Sequence, residues 1–144
     1  MNIDYLKIAG VLSFIASLTH VAIIFGGASW YRFFGAGENM ARMAEQGFLL
    51  PTLTTLCVSL VLAIWGAYAW SAAGMFPEFP LLKIVLILIT AVYLTRGLLG
   101  LVVPLVSNHP QVAQNSLSFW IWSSIICLIF GLIHLKGVIE KWFL

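Results

Sequence analysis

Arg96 is the residue of this sequence with the clearest capacity for chemistry. It stands in the run LTRGL at positions 94–98, with apolar sequence on both sides. An arginine keeps its proton under all ordinary conditions, and a charge held in hydrocarbon costs about 3 kcal/mol or more. Such a charge must meet a carboxylate, backbone carbonyls, water or a ligand. The sequence therefore predicts either a binding site or a buried ion pair at this position.

Several other polar side chains are expected to lie near Arg96. Tyr93 and Thr95 precede it on the same segment, and His20 lies in an earlier apolar run. The chain has five carboxylates, and Arg96 could reach only Glu38 and Glu45 by extending its side chain along the helix. The candidate ligand-binding residues are Arg96, His20, Tyr93, Thr95, Glu38 and Glu45.

Other catalytic chemistry has weaker support. Cys57 and Cys127 fall at about the depth of Arg96, and an arginine beside a thiol makes it a better nucleophile. This spacing is the one route to a redox function, and an intramembrane lipid-modifying enzyme could instead use His20 as general acid/base. The histidines His20, His109 and His134 do not pair at helical spacing, so we predict no metal site and no cofactor.

The composition places this chemistry in a membrane. The 144 residues are 62% hydrophobic and 8% charged, with a mean hydropathy of +1.05, whereas a soluble domain has about 25% charged residues. The net charge of +2 is too small for a nucleic-acid binder. These values exclude an ordinary cytosolic domain and a disordered chain, and they indicate one small integral membrane domain.

The apolar runs predict an all-α fold with four transmembrane helices. A helix that crosses about 30 Å of hydrocarbon needs about 20 mostly apolar residues. The predicted spans are residues 5–26, 48–70, 81–106 and 117–136. We interpret the first run as a retained span rather than a cleaved signal peptide, because no cleavage site clearly ends it.

Small and hydroxyl residues recur at helical spacing in each predicted span. Such residues face neighbouring helices in membranes, where they permit close approach and hydrogen bonds. Four stripes on four helices predict one compact bundle with a slightly polar interior. The stripes are Gly10, Ser13, Ser17 and His20; Thr52, Thr55, Ser59 and Gly66; Thr90, Tyr93, Gly97 and Gly100; and Ser123 or Ser124, Cys127, Gly131 and His134.

The connection between the first two spans is expected to contain a short amphipathic segment. Glu38, Arg42 and Glu45 share one helical face, and Phe33 and Phe34 would anchor the segment in lipid. It would form either a separate helix or an extension of the second span. Its acidic face could cap a vestibule around Arg96, or its charges could pair among themselves in solvent.

The cationic residues predict how the chain crosses the membrane. Lys7, Lys83, Lys136 and Lys141 fall at one end of the predicted bundle, and Arg32 and Arg42 fall at the other. The positive-inside rule then places both termini in the cytoplasm. We expect a multi-pass protein of a bacterial inner membrane.

Four stretches resemble a group of small bacterial four-helix inner-membrane proteins of uncharacterised function. They are GGASWYRFFGAGE at positions 26–38, MARMAE at 40–45, YLTRG at 93–97 and FWIWSS at 119–124. The architecture is also loosely similar to that of the DoxX-like membrane proteins, which have four short spans and an arginine in the bundle. Neither resemblance supplies a catalytic residue.

Three functions remain open from the sequence. The first is binding or transport of an anionic or carbonyl-bearing amphiphile (a lipid, fatty acid or quinone) in an outward-facing pocket around Arg96. The second is an accessory subunit of a membrane complex, with Arg96 paired to Glu38 or Glu45. The third is an intramembrane enzyme. The expected partners are membrane lipid and either further copies of the chain or a larger membrane complex, without nucleic acid.

Overall fold

The computed structural model describes residues 4–144, which fold into a helical bundle. Four of its helices are long and apolar enough to cross a membrane, namely α1, α4, α5 and α7. The prediction of an all-α fold with four spans is therefore confirmed. The helices are α1 Tyr5–Gly26, α2 Ala28–Phe33, α3 Glu38–Glu45, α4 Leu50–Ala72, α5 Leu82–Val106, α6 Pro110–Ala113 and α7 Leu117–Trp142.

Local signals in the sequence set most helix ends. The Asp4 carboxylate accepts a hydrogen bond from the Lys7 amide at 3.2 Å and starts α1. Ser116 starts α7 in the same way, through a 3.1 Å bond from the Phe119 amide. Beyond the predicted end of the last span at residue 136, α7 continues to Trp142. There Lys136 and Glu140 form an ion pair of 3.2 Å, which supports a helix outside the apolar region.

The connection between α1 and α4 forms two separate short helices, α2 and α3. The predicted alternative, an extension of the second span back to Glu38, is wrong. Gly47 adopts a left-handed φ of 78° between α3 and α4, a conformation that glycine accepts readily. Pro51 lies in the first turn of α4, where a missing amide hydrogen costs little.

The antiparallel spans give the bundle two distinct ends. The end with Asp4, the α4–α5 connection and Trp142 is called the termini end. The opposite end, with the α1–α4 and α5–α7 connections, is called the cap end. Helices α2 and α3 together, residues 28–45, are called the cap.

Glycines and serines hold the spans together in pairs. In the α1–α4 pair, a Cβ on Gly66 would lie 3.1 Å from the carbonyl oxygen of Gly10. Ser17 donates to the Ser59 carbonyl at 2.8 Å, and Ser59 donates to the Ser17 carbonyl at 3.0 Å. These contacts place the predicted small-residue stripes of α1 and α4 against each other.

Helix α1 also packs against α7, and α5 packs against α7. Gly137 admits Leu6 near the termini end, where a Cβ would lie 2.8 Å from Leu6 Cγ. The buried core is concentrated in that half of the bundle and includes Leu86 and Val138. Towards the cap end, a cavity lies between the walls formed by α1 and α7.

Candidate functional site

A cavity of about 580 Å³ lies in the cap half of the bundle and is lined by all four spans. Its size falls within the ordinary range for small-molecule sites, about 300–1,000 Å³. Most of the wall is apolar, and the ring of Phe34 from the cap closes part of it. The polar residues of the wall are Thr19, His20, Tyr93, Arg96, Ser123 and Cys127.

The structure brings together three of the six predicted site residues. His20, Tyr93 and Arg96 all line this cavity. Thr95 is exposed on α5 and lines a separate groove on the outer surface of the bundle, which Arg96 also borders. Glu38 and Glu45 line neither space. The cavity therefore has a cationic residue but no carboxylate in its wall.

The Arg96 guanidinium is held by weak contacts with α7. Its Nη1 and Nη2 donate to the hydroxyls of Ser124 and Ser123, both at the long distance of 3.4 Å. Its Cζ lies 5.2 Å from the ring centroid of Trp120, a cation–π distance. Within residues 4–144 no carboxylate lies within ion-pair distance of this side chain. Arg96, which borders both the cavity and the outer groove, therefore keeps unused hydrogen-bond donors.

Gly100 is a residue of the site that sequence reasoning missed. A Cβ at Gly100 would collide with both Arg96 Nη1 and Ser124 Oγ. The missing side chain is what lets the guanidinium lie along α5 and reach the hydroxyls of α7. The sequence signal is the position of this glycine one helical turn after Arg96, although the stripe of small residues on α5 predicts only helix packing there.

The predicted pairing of Arg96 with Glu38 or Glu45 is wrong, because both carboxylates bind Arg32. Arg32 donates to Glu38 at 2.8 and 3.0 Å and to Glu45 at 2.8 Å. Arg42 adds a 3.2 Å bond to Glu38, which confirms the predicted pairing of charges within the segment. The turn after α2 sets Arg32 beside α3 at the exposed surface, so these ions stay partly hydrated instead of entering the bundle.

The cap is docked over the cavity by contacts with the start of α7. Asn115 donates to the carbonyl oxygen of Gly35 at 3.1 Å, and the ring of Phe119 packs where a Cβ on Gly35 would lie. Phe33 stacks on Trp122 with ring centroids 6.2 Å apart. The predicted acidic cover of the vestibule is replaced by aromatic side chains.

Acid is expected to loosen the cap through Glu38. Hydrogen bonds from Arg32 lower the pKa of Glu38 from 4.5 to about 2, and the bonds that Glu38 and Glu45 accept from Arg32 raise the pKa of the arginine. A lowered carboxyl pKa stabilises the packing of α3 against α2 within the cap fully above pH 4.5, and this stabilisation is lost as the pH falls towards 2. The loss of stabilisation is measured by the chemical shift of the buried Ala41 methyl group as the pH is lowered from about 6 to about 2.

The Glu38→Gln variant should show a smaller change over the same interval, because it has already lost the Arg32–Glu38 bonds and keeps only the Arg32–Glu45 bond. Glu78→Gln in the α4–α5 connection should follow the unmodified protein. Identical profiles for the unmodified protein and Glu38→Gln would contradict this role for Glu38.

The two cysteines lie on different surfaces. Cys57 is exposed on α4 and does not line the cavity. Cys127 lines the cavity together with Arg96. The prediction that both thiols share the neighbourhood of Arg96 is therefore wrong for Cys57.

Tyr93 forms the floor of the cavity and links it to the core. Its hydroxyl and that of Ser13 share a 3.1 Å hydrogen bond, and its ring contacts those of Trp65, Phe130 and His134 at centroid distances of 5.1 to 5.5 Å. His134 is fully buried outside the cavity, and its Nε2 has no hydrogen-bond partner within residues 4–144.

The chain matches no protein-family model, no curated protein and no solved structure. The resemblance to small four-helix inner-membrane proteins and to DoxX-like proteins stays a prediction. An interpretation of the function therefore rests on the cavity and on the residues around Arg96.

Proposed function

We propose that this protein binds a membrane amphiphile with an anionic or carbonyl-bearing head, such as a lipid, a fatty acid or a quinone. The head lies against Arg96 and the tail occupies the apolar part of the cavity. The observation that carries the proposal is that Arg96 lines an apolar cavity whose wall contains no carboxylate.

The energetics of the guanidinium support an anionic or carbonyl ligand. Two long bonds to Ser123 and Ser124 leave most of its five N–H donors free for an incoming oxygen. A carboxylate can receive two parallel bonds from one arginine, which gives both affinity and a defined orientation. A bound head group would therefore compensate the charge that the protein itself leaves uncompensated.

The distribution of charge supports a defined orientation for this binding. Lys7, Lys83, Lys136 and Lys141 lie near the termini end, at the ends of α1, α5 and α7. We infer that both termini face the cytoplasm of a bacterial inner membrane and that the cavity opens towards the outer leaflet. Four short spans leave little room for a translocation path, so transport would require several copies of the chain.

The two other functions have less support. The accessory-subunit hypothesis was based on an ion pair between Arg96 and the cap, and Arg32 takes that role instead. The enzyme hypothesis retains Cys127 and His20 in the cavity beside Arg96, but no hydrogen bond joins them into a catalytic arrangement within residues 4–144. Both stay predictions.

Equilibrium binding to the protein in lipid nanodiscs tests the proposal. The probes are a long-chain fatty acid, the alcohol of equal length and an isoprenoid quinone. Hydrogen bonds to a charged group contribute about 1.5–3 kcal/mol, so the acid should bind at least about tenfold more tightly than the alcohol. The quinone, which offers carbonyl acceptors, should fall between them.

Two tryptophan substitutions provide the matched control. Ile126 lines the cavity, whereas its neighbour Ile125 is exposed on α7 outside it. Ile126→Trp should fill the cavity and weaken binding of every probe, and Ile125→Trp should leave binding unchanged. Equal binding of acid and alcohol, or equal effects of the two variants, would contradict the proposal.

A further inference from the structure

His20 provides the cavity with a hydrogen-bond acceptor. Its Nδ1 lies 2.7 Å from the carbonyl oxygen of Ala16. A carbonyl oxygen can only accept, so Nδ1 carries the hydrogen, and in the neutral ring Nε2 is then an acceptor. The bond to Ala16 is the ring's only hydrogen bond within residues 4–144. An acceptor on this half-buried ring therefore remains available to a ligand.

The imidazole and the Arg96 guanidinium lie at similar depths. His20 is about 9 Å from the cap end of α1, at about 1.5 Å per residue. Ser123 and Ser124, which hold the guanidinium, are about 9 and 10 Å from the cap end of α7. The two side chains line one cavity from different walls, since His20 belongs to α1 and Arg96 to α5.

Apart from the Cys127 thiol, which is only a weak donor, the other polar groups of the wall already have partners. The Thr19 hydroxyl donates to the Ile15 carbonyl at 2.8 Å, Ser123 donates to the Trp120 carbonyl at 3.3 Å, and Tyr93 is paired with Ser13. The hydrogen-bonding groups of the wall that remain unused are thus mainly the donors of Arg96 and the acceptor of His20.

We propose that the head group of the ligand carries a hydroxyl or N–H donor for His20 Nε2 in addition to the acceptor oxygen bound by Arg96. This inference rests on the proposed function and narrows its ligand class to amphiphiles whose head group carries both a hydrogen-bond donor and an acceptor oxygen. A head with acceptors alone would leave the imidazole nitrogen unpaired in an apolar cavity, which lowers affinity.

Two matched esters test this inference on the whole protein in nanodiscs. The dodecyl esters of 4-hydroxybenzoate and 4-methoxybenzoate share a carbonyl acceptor, and only the first has a hydroxyl donor. We expect the hydroxy ester to bind about tenfold more tightly. His20→Phe should abolish this preference, and His20→Gln, which keeps an acceptor, should retain part of it.

Two further variants separate the roles of the residues. Thr54→Val removes a hydroxyl that is exposed on α4 outside the cavity and should leave the preference intact. Arg96→Gln should weaken both esters to the same degree. The ratio of the affinities for the two esters is independent of the fraction of folded protein. A destabilised variant therefore still shows whether the preference for the hydroxy ester is kept.

The outcomes distinguish this inference from the proposed function. Equal affinities for the two esters, or a preference that survives in His20→Phe, would overturn the role of His20 and leave fatty-acid binding in place. Failure of the esters and of the fatty acid to bind would overturn both.

Discussion

Replacing Arg96 with glutamine is expected to weaken fatty-acid binding by about 10- to 100-fold, because the substitution removes a charged hydrogen-bond donor worth about 1.5–3 kcal/mol. Within residues 4–144 the Arg96 guanidinium donates hydrogen bonds only to Ser123 and Ser124, and it lies over the ring of Trp120. Glutamine keeps a polar group of moderate length at this position but cannot neutralise a carboxylate. Equilibrium binding in nanodiscs measures the loss.

The same substitution should leave the stability of the bundle unchanged or higher. An arginine in a membrane interior has a cost of insertion, and here no carboxylate in the described chain offsets it. Resistance to unfolding by dodecyl sulfate, followed by circular dichroism, measures this effect. Stability would fall if Arg96 served mainly to hold the helices together.

Arg42→Gln is the matched control, because Arg42 lies exposed on the cap and does not line the cavity. It should preserve fatty-acid affinity. A loss of stability in Arg96→Gln with unchanged affinity would assign Arg96 a structural role, and it would favour the accessory-subunit hypothesis.

The four spans were predictable because the membrane leaves the chain few alternatives. Backbone amides in lipid must find partners within their own segment, so each long apolar run forms a helix. Asp4 and Ser116 mark helix starts by side-chain hydrogen bonds, and Pro51 marks the first turn of α4. These signals depend only on residues that are close together in the sequence, so they can be recognised without the structure.

It was harder to predict which side of each helix faces the interior of the bundle and which side faces lipid. The lipid around a bundle is as apolar as its interior, so hydrophobic periodicity does not distinguish the two sides. Cys57 and Thr95 proved to be exposed, although their depths matched that of the site. His20 and Tyr93 could be placed correctly because they continue stripes of small residues, which do mark contacts between helices.

Which arginine binds Glu38 and Glu45 depends on the turn between α2 and α3, and the spacing of residues in the sequence does not define that turn. Gly35 and Gly37 have left-handed φ angles of 79° and 94°, and they fold α3 back beside α2. This fold brings Arg32 to Glu38 at 2.8 Å. From the sequence, Arg96 was the cation expected to bind a carboxylate, because it lies in an apolar segment. In the structure Arg32, which is closer to α3 and more exposed, binds both carboxylates instead.

The site depends on the close approach of α5 and α7, which two glycines permit. A Cβ on Gly131 would lie 2.6 Å from Leu94 Cδ2 and 3.0 Å from the Leu94 backbone nitrogen. Gly97 has the reciprocal relation to Leu128, at 2.6 Å from its Cγ and 3.0 Å from its nitrogen. A leucine side chain can move away, whereas a backbone nitrogen moves only if the two helices separate.

Gly131→Leu is therefore expected to destabilise the protein by about 3 kcal/mol or more, at the upper end of the range for overpacked sites. Separation of the helices would also withdraw Ser123 and Ser124 from Arg96, so fatty-acid binding should be lost together with stability. Unfolding by dodecyl sulfate and binding in nanodiscs measure the two effects on one preparation. Gly131→Ala should show a smaller loss, because a gain in helix propensity of about 1 kcal/mol opposes the steric cost.

Thr54→Leu provides the control for added bulk, since Thr54 is exposed on α4. It should change neither stability nor affinity, because the larger side chain enters lipid rather than another helix. If Gly131→Leu unfolds at the same dodecyl sulfate fraction as the unmodified protein, α5 and α7 do not meet at these glycines. The hydroxyls of α7 would then not be held beside Arg96, and the cavity would lose the wall that positions its cation.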